Sequence, residues 1–220
     1  MCKQLDPARA AALLKRQTAL QAEAQHVIAE LDLGSVLGRA GRVRLVGSAV
    51  TGLMVWRDLD VHVLAPRLGA RSAWAAMAPL AAHPRMREVR YINQADRRSY
   101  SGDPRDDRFY FQLFYQTSAG DVWKLDVSFW LAGDEREDEV TYQAELVPRL
   151  DPETRHAILW IKSLWAESPE RRDAACGRDV SSIDLYDAAL EHAVRTPAAF
   201  DAYLAARGKP TRSLDRSDAA

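Results

Sequence analysis

Hydrophobic and polar positions change period several times along this chain, and those changes mark its elements. Residues 7–31 are rich in Ala, Gln and Leu, and Leu13, Leu14, Leu20, Val27, Ile28 and Leu31 are available for the buried stripe of a helix. Asp6-Pro7 starts it, with Asp as N-cap and Pro where a missing N–H costs nothing. Gly34, Gly38 and Gly41 punctuate its exit. Residues 42–46 are short and partly β-branched, and they stop abruptly at Gly47-Ser48; residues 58–64 alternate cleanly as a strand. An Ala-rich helix is expected over 72–82, kinked or ended early by Pro79, and a further strand over 87–92. The polar stretch 93–108, with Gly102 and Pro104, reads as a mobile loop.

Two aromatic-rich strands follow, 109–116 and 122–130, joined through Ser118-Ala119-Gly120-Asp121 as an antiparallel hairpin. The acidic stretch after Leu131 reads as a loop through residue 139. Asp151-Pro152 repeats the helix-start signature and opens a helix to about residue 167; helices over 181–194 and 197–206 come next. This order predicts an α+β protein with a mixed, largely antiparallel sheet and a helical C-terminal part. The expected division is a domain over 1–150, a helical extension over 151–208 and a frayed tail over 209–220.

Strand periodicity gives the first chemical signal. Alternate strand residues share a face, so Asp58 and Asp60 point one way while Leu59, Val61 and Val63 point to the buried side. Two ionised carboxylates on one face repel unless a cation lies between them, and aspartate oxygens suit Mg²⁺. Upstream, Gly47-Ser48 ends a strand and starts a short helix, where backbone N–H groups attract anions. In residues 122–130 the same alternation puts Lys124, Asp126 and Ser128 on one face; the bland reading of Asp126 is a carboxylate neutralised by Lys124 or an arginine. His62 shares the face of the acid pair and reads as a hydrogen-bonded support rather than a ligand. Arg57 points away from the pair and reads as a structural ion-pair partner.

Composition narrows the partners. Of the 220 residues 47% are hydrophobic and 28% charged, as in an ordinary globular protein with a core. Thirty Lys and Arg nearly balance thirty-one Asp and Glu, for a net charge of −1. Such balance leans away from a long nucleic acid, which favours a basic excess. Cys2 and Cys176 have no zinc-ligand spacing and read as free thiols of a reducing cytosol. No apolar run approaches the ~20 residues that span a bilayer, so a cytoplasmic protein without a membrane partner is expected. No strand pattern precedes residue 42, so a Rossmann glycine fingerprint has no strand to follow.

Gly47-Ser48, the spacer to Asp58-Leu59-Asp60, and Leu125-Asp126-Val127 on a later strand together resemble the signature of the DNA polymerase β-like nucleotidyltransferase superfamily, especially its small bacterial members. The resemblance covers about residues 42–130. It implies that Asp58, Asp60 and Asp126 hold Mg²⁺ ions, that Gly47 and Ser48 cradle the β/γ end of a nucleoside triphosphate (ATP by default), and that Asp126 draws the proton from an acceptor hydroxyl. Transfer of a nucleoside monophosphate with release of pyrophosphate would follow. In such proteins a helix after the third carboxylate often supplies a phosphate-binding cation. Lys162, at the edge of the apolar arc of the helix from Pro152, is the candidate here. The acceptor stays open between a small hydroxylated molecule, such as an aminoglycoside-like antibiotic, and a protein or tRNA. Two other readings are a non-catalytic module of the same fold acting as antitoxin or regulator, and a sugar-nucleotide glycosyltransferase using Asp-x-Asp.

Overall fold

In the computed structural model, which describes residues 5–99, 101–132, 137–166 and 180–211, five strands form one sheet in the order β1-β2-β5-β4-β3. They are β1 Arg42–Val46, β2 Asp58–Leu64, β3 Met86–Asn93, β4 Arg108–Gln116 and β5 Val122–Trp130. Three of the four pairings are antiparallel; in the fourth, β2 runs parallel to β5. The α+β class and the mixed, largely antiparallel sheet are therefore as the periodicity predicts. The hairpin from β4 to β5 closes through Thr117–Asp121, where the Thr117 N–H donates to the Asp121 carbonyl at 2.8 Å.

The chain divides into two compact units, residues 20–145 and residues 1–19 with 146–220. In the first, one sheet face builds the core. Leu59, Val61 and Val63 of β2, Phe109, Phe111, Leu113 and Tyr115 of β4, and Trp123, Leu125, Val127 and Phe129 of β5 are all buried. Helix α1 (Pro7–Glu30) adds Leu20, Ala24 and Val27 to that cluster at helical spacing, and α4 (Ala70–Ala81) adds Ala73, Met77 and Leu80. Pro79 is tolerated in the last turn of α4, which continues to Ala81.

Two expectations change. Residues 33–38, read as a glycine-punctuated exit, form a short helix, α2 (Leu33–Gly38). Leu33 and Leu37, one turn apart, are both buried, and nothing lies within 4 Å of a Cβ built on Gly34 or Gly38, so burial of the leucines outweighs the glycines. The acidic stretch ends sooner than expected, because α5 already begins at Glu137 and runs to Leu146; acidic runs also suit the positive end of a helix. Loop 93–108 holds a 3₁₀ turn, Pro104–Asp106, capped by the Asp103 carboxylate and tied back where the Arg97 N–H donates to Asp107 Oδ1 at 2.9 Å. The two cysteines and tail residues 212–220 lie outside the described residues.

The second unit packs α6 (Pro152–Ala166) against α7 (Ser182–Glu191) and α8 (Pro197–Ala205). A capping box opens α7, with the Ser181 N–H donating to Asp184 Oδ2 at 2.8 Å, while Lys209 Nζ donates to Asp184 Oδ1 at 2.5 Å. Burial pushes the Asp184 carboxyl up, but the hydrogen bonds from Lys209 and Ser181 outweigh it and hold the group below its ordinary 3.8. A carboxyl with a depressed folded pKa stabilises above its unfolded value, and that stabilisation is lost as pH falls through the folded one. Asp184→Ala is therefore expected to cost about 1 kcal/mol at pH 6. Urea unfolding should show the gap from wild type narrowing below about pH 4; a gap independent of pH would contradict the ionised cap.

Candidate active site on the sheet face

The face opposite the core carries the acids. Parallel register sets Asp58 beside Lys124 and Asp60 beside Asp126, so carboxylates from two distant parts of the sequence become neighbours. One carboxylate oxygen from each of Asp58, Asp60 and Asp126 can be chosen so that all lie within 4.8 Å of one another, and the three side chains are half-buried. An all-oxygen set of this size can hold a metal ion and suits a hard divalent cation. Asp58 Oδ1, a buried oxygen, is met by the Lys124 ammonium at 3.5 Å, longer than an ordinary charged hydrogen bond, which fits a site built to take a cation. Its fellow oxygen, Oδ2, accepts from Trp56 Nε1 at 3.2 Å. Burial drives the Asp58 carboxyl above its ordinary range, with the charge of Lys124 opposing and that of Asp126 adding to the rise.

Gly47 shows why the turn before the acids has no side chain. Its backbone sits at φ 73°, ψ −152°, a region that L residues with a Cβ avoid. A Cβ there would lie 3.1 Å from Asp60 Cγ and would overlap Asp60 Oδ2. Ser48 opens the four-residue helix α3 (Ser48–Thr51) immediately after it and is half-buried. Five of the six residues singled out in the sequence thus fall in one unit: Gly47 against Asp60, Ser48 next to it, and the three aspartates together. Lys162 belongs to the other unit. There it is only 2% exposed, so it does not reach out to solvent; Nζ donates to the Tyr186 hydroxyl at 3.2 Å and lies 5.6 Å from that ring's centre.

Other residues complete the acid face. Lys124 Nζ donates to Asp126 Oδ2 at 2.7 Å and lies 3.5 Å from Asp58 Oδ1. Burial alone would lower its pKa, but the two carboxylates hold the ammonium well above its ordinary range. From β4, Gln112 Nε2 reaches Asp126 Oδ1 at 3.5 Å and donates to the Tyr110 hydroxyl at 2.9 Å. Burial first, then the charge of Asp126 and a hydrogen bond to it, raise the Tyr110 phenol far above its usual value. Beyond them Arg108 donates to Gln94 Oε1 at 2.6 Å and to Ser128 Oγ at 3.0 Å, with its guanidinium over the Tyr110 and Trp130 rings. His62, facing the same way, is buried edge-on to Trp130. Arg57 pairs with Glu23 at 2.7 Å and Asp121 at 3.1 Å, away from the acids. Tyr110 and Gln112 were not singled out in the sequence; the alternation of β4 carries the signal, but only the hairpin register says which acid they meet.

Among solved structures, one of Cid1, described for its RNA terminal uridylyl transferase activity, aligns with 79% of this chain at 19% identity and a TM-score of 0.51. The chain shares the nucleotidyltransferase fold of that structure. A second structure, the Cid1 poly(U) polymerase with Mg 3′-dATP bound, aligns with 75% of the chain at 18% identity and a TM-score of 0.49. The chain spans about half of each of these proteins, 47% in both cases. No protein-family model matches it, and no curated protein does. Within the nucleotidyltransferase fold, the acids stand on the paired strands β2 and β5 at the sheet centre. No helix among the described residues is long and apolar enough to cross a membrane.

Proposed function

We propose that this protein transfers a nucleoside monophosphate from a nucleoside triphosphate, ATP by default, to a hydroxyl acceptor. The observation that carries the reading is the meeting of Asp58, Asp60 and Asp126 on one sheet face behind Gly47. Asp58 and Asp60 would hold the ions that accompany the triphosphate, and Asp126 would complete the set. Bound Mg²⁺ would neutralise charge on the phosphoryl oxygens and on the leaving pyrophosphate. Gly47 and Ser48 would lie at the β/γ end of the triphosphate. A carboxylate oxygen of Asp126 accepts the proton of the attacking hydroxyl as its oxygen bonds to the α-phosphorus. The bond from that phosphorus to the β-phosphate oxygen then breaks, and pyrophosphate departs with the electron pair.

A small hydroxylated molecule is the acceptor class most in keeping with a net charge of −1. A protein, tRNA or other RNA acceptor is the competing class; RNA is what the Cid1 description names for that protein. A second reading, a non-catalytic module of the same fold, draws on one observation: Lys124 and Gln112 already serve both oxygens of Asp126. Calorimetric titration of ATP, GTP, CTP and UTP, with and without Mg²⁺, separates the two. Transfer predicts metal-dependent binding of one triphosphate, lost in Asp60→Asn, and pyrophosphate as the product from labelled donor. Absence of binding by all four would favour the non-catalytic module, and release of nucleoside diphosphate would favour glycosyl transfer.

A further inference from the structure

Lys124 stands where a divalent ion has to compete with it. In the β2–β5 register it lies directly across from Asp58 and two residues before Asp126, and its ammonium bridges them at 3.5 Å and 2.7 Å. Asp58 and Asp126 are only 13% and 17% exposed, so their charges are poorly screened by water. An ion bound to Asp126 Oδ2, at the ~2.1 Å typical of magnesium, would lie no more than about 5 Å from the ammonium that donates to the same oxygen. Two positive centres that close repel strongly inside a half-buried site. Gln112 and Tyr110 also face Asp126, but both are neutral and can stay when an ion arrives. The lysine side chain is 28% exposed, which leaves it a route outward.

We propose that Lys124 is a resident counter-cation of the acidic cluster, which a divalent ion must displace from Asp58 and Asp126 before it can bind. The inference rests on the reading of these acids as metal ligands. It makes Lys124 a positioning residue that sets the metal concentration at which the cluster loads. The same side chain keeps the carboxylates from repelling one another before loading.

The test is calorimetric titration of Mn²⁺ alone, without nucleotide, into wild type, Lys124→Gln and Lys124→Arg, each checked for folding by circular dichroism. Lys124→Gln removes the competing charge and is expected to bind Mn²⁺ at least about tenfold more tightly than wild type. Lys124→Arg keeps the charge and is expected to stay within about threefold of wild type. Should Lys124→Gln lose its fold through carboxylate repulsion, Lys124→Met, which keeps the apolar stem, takes its place with the same expectation. Mn²⁺ binding to the neutral variant no tighter than to wild type would overturn the role of Lys124 while leaving the acids as ligands. Equal tightening in Lys124→Arg would overturn it too, since charge would not be the cause. No Mn²⁺ binding by any variant would remove the metal reading itself, and this inference with it.

Discussion

Asp60→Asn is expected to abolish nucleotidyl transfer, with a loss of at least about 10³-fold in rate, while the protein stays folded. The substitution keeps size and shape but removes one of three negative charges whose oxygens gather within 4.8 Å. A hard divalent cation then loses a charged ligand. Folding should not suffer, because Asp60 is half-buried on the face opposite the core and its charge neighbours Asp126 across the strands. Relief of that repulsion can even raise the thermal midpoint slightly. Labelled-nucleotide assays, Mn²⁺ titration and thermal unfolding of the same preparation give the three readouts together. Full transfer by the folded variant would sink the mechanism, because Asp58 would then be the one β2 carboxylate left to share a metal with Asp126.

The second large effect is expected at Gly47. Adopting φ 73°, ψ −152° with a Cβ costs about 1–3 kcal/mol from the backbone alone. The added methyl also overlaps the Asp60 carboxylate, which must turn away. Gly47→Ala should therefore lower stability in urea unfolding and weaken Mn²⁺ binding together, an unusual pairing for so small a change. Gly34→Ala is the matching control: nothing lies within 4 Å of its added Cβ, and in α2 alanine is the better helix former by up to about 1 kcal/mol. A Gly47→Ala protein as stable as wild type would refute the strained turn.

Much of this arrangement is legible in the sequence, for a simple reason. β2, β4 and β5 alternate apolar and polar residues, and alternation alone assigns Asp58, Asp60, Lys124 and Asp126 to the solvent-side face. Gly47 announces itself because a strand stops there and no β-branched residue follows until Val50. Periodicity is silent about register between distant strands. That Asp60 faces Asp126, and that Gln112 and Tyr110 of β4 close around the latter, depends on the β2–β5 and β4–β5 pairings. Lys162 shows a different limit. Its place at the edge of an apolar arc is readable, but helical geometry could not tell a buried ammonium held on Tyr186 from one reaching solvent. Short α2 was missed because composition punctuates strongly at glycine, while two leucines one turn apart are a weak signal.

The interior place of β2 carries one more consequence. It is hydrogen-bonded on both sides, to β1 and to β5, so its acids are anchored by two independent ladders. A slip of one residue would thrust Asp58 and Asp60 among Leu125, Val127 and Phe129 and expose Leu59 and Val61 to water. Burying two carboxylates in that way is prohibitive. The fold thus proofreads its own chemistry: a chain that has threaded β2 wrongly cannot persist as a compact, stable and misaligned competitor for substrate.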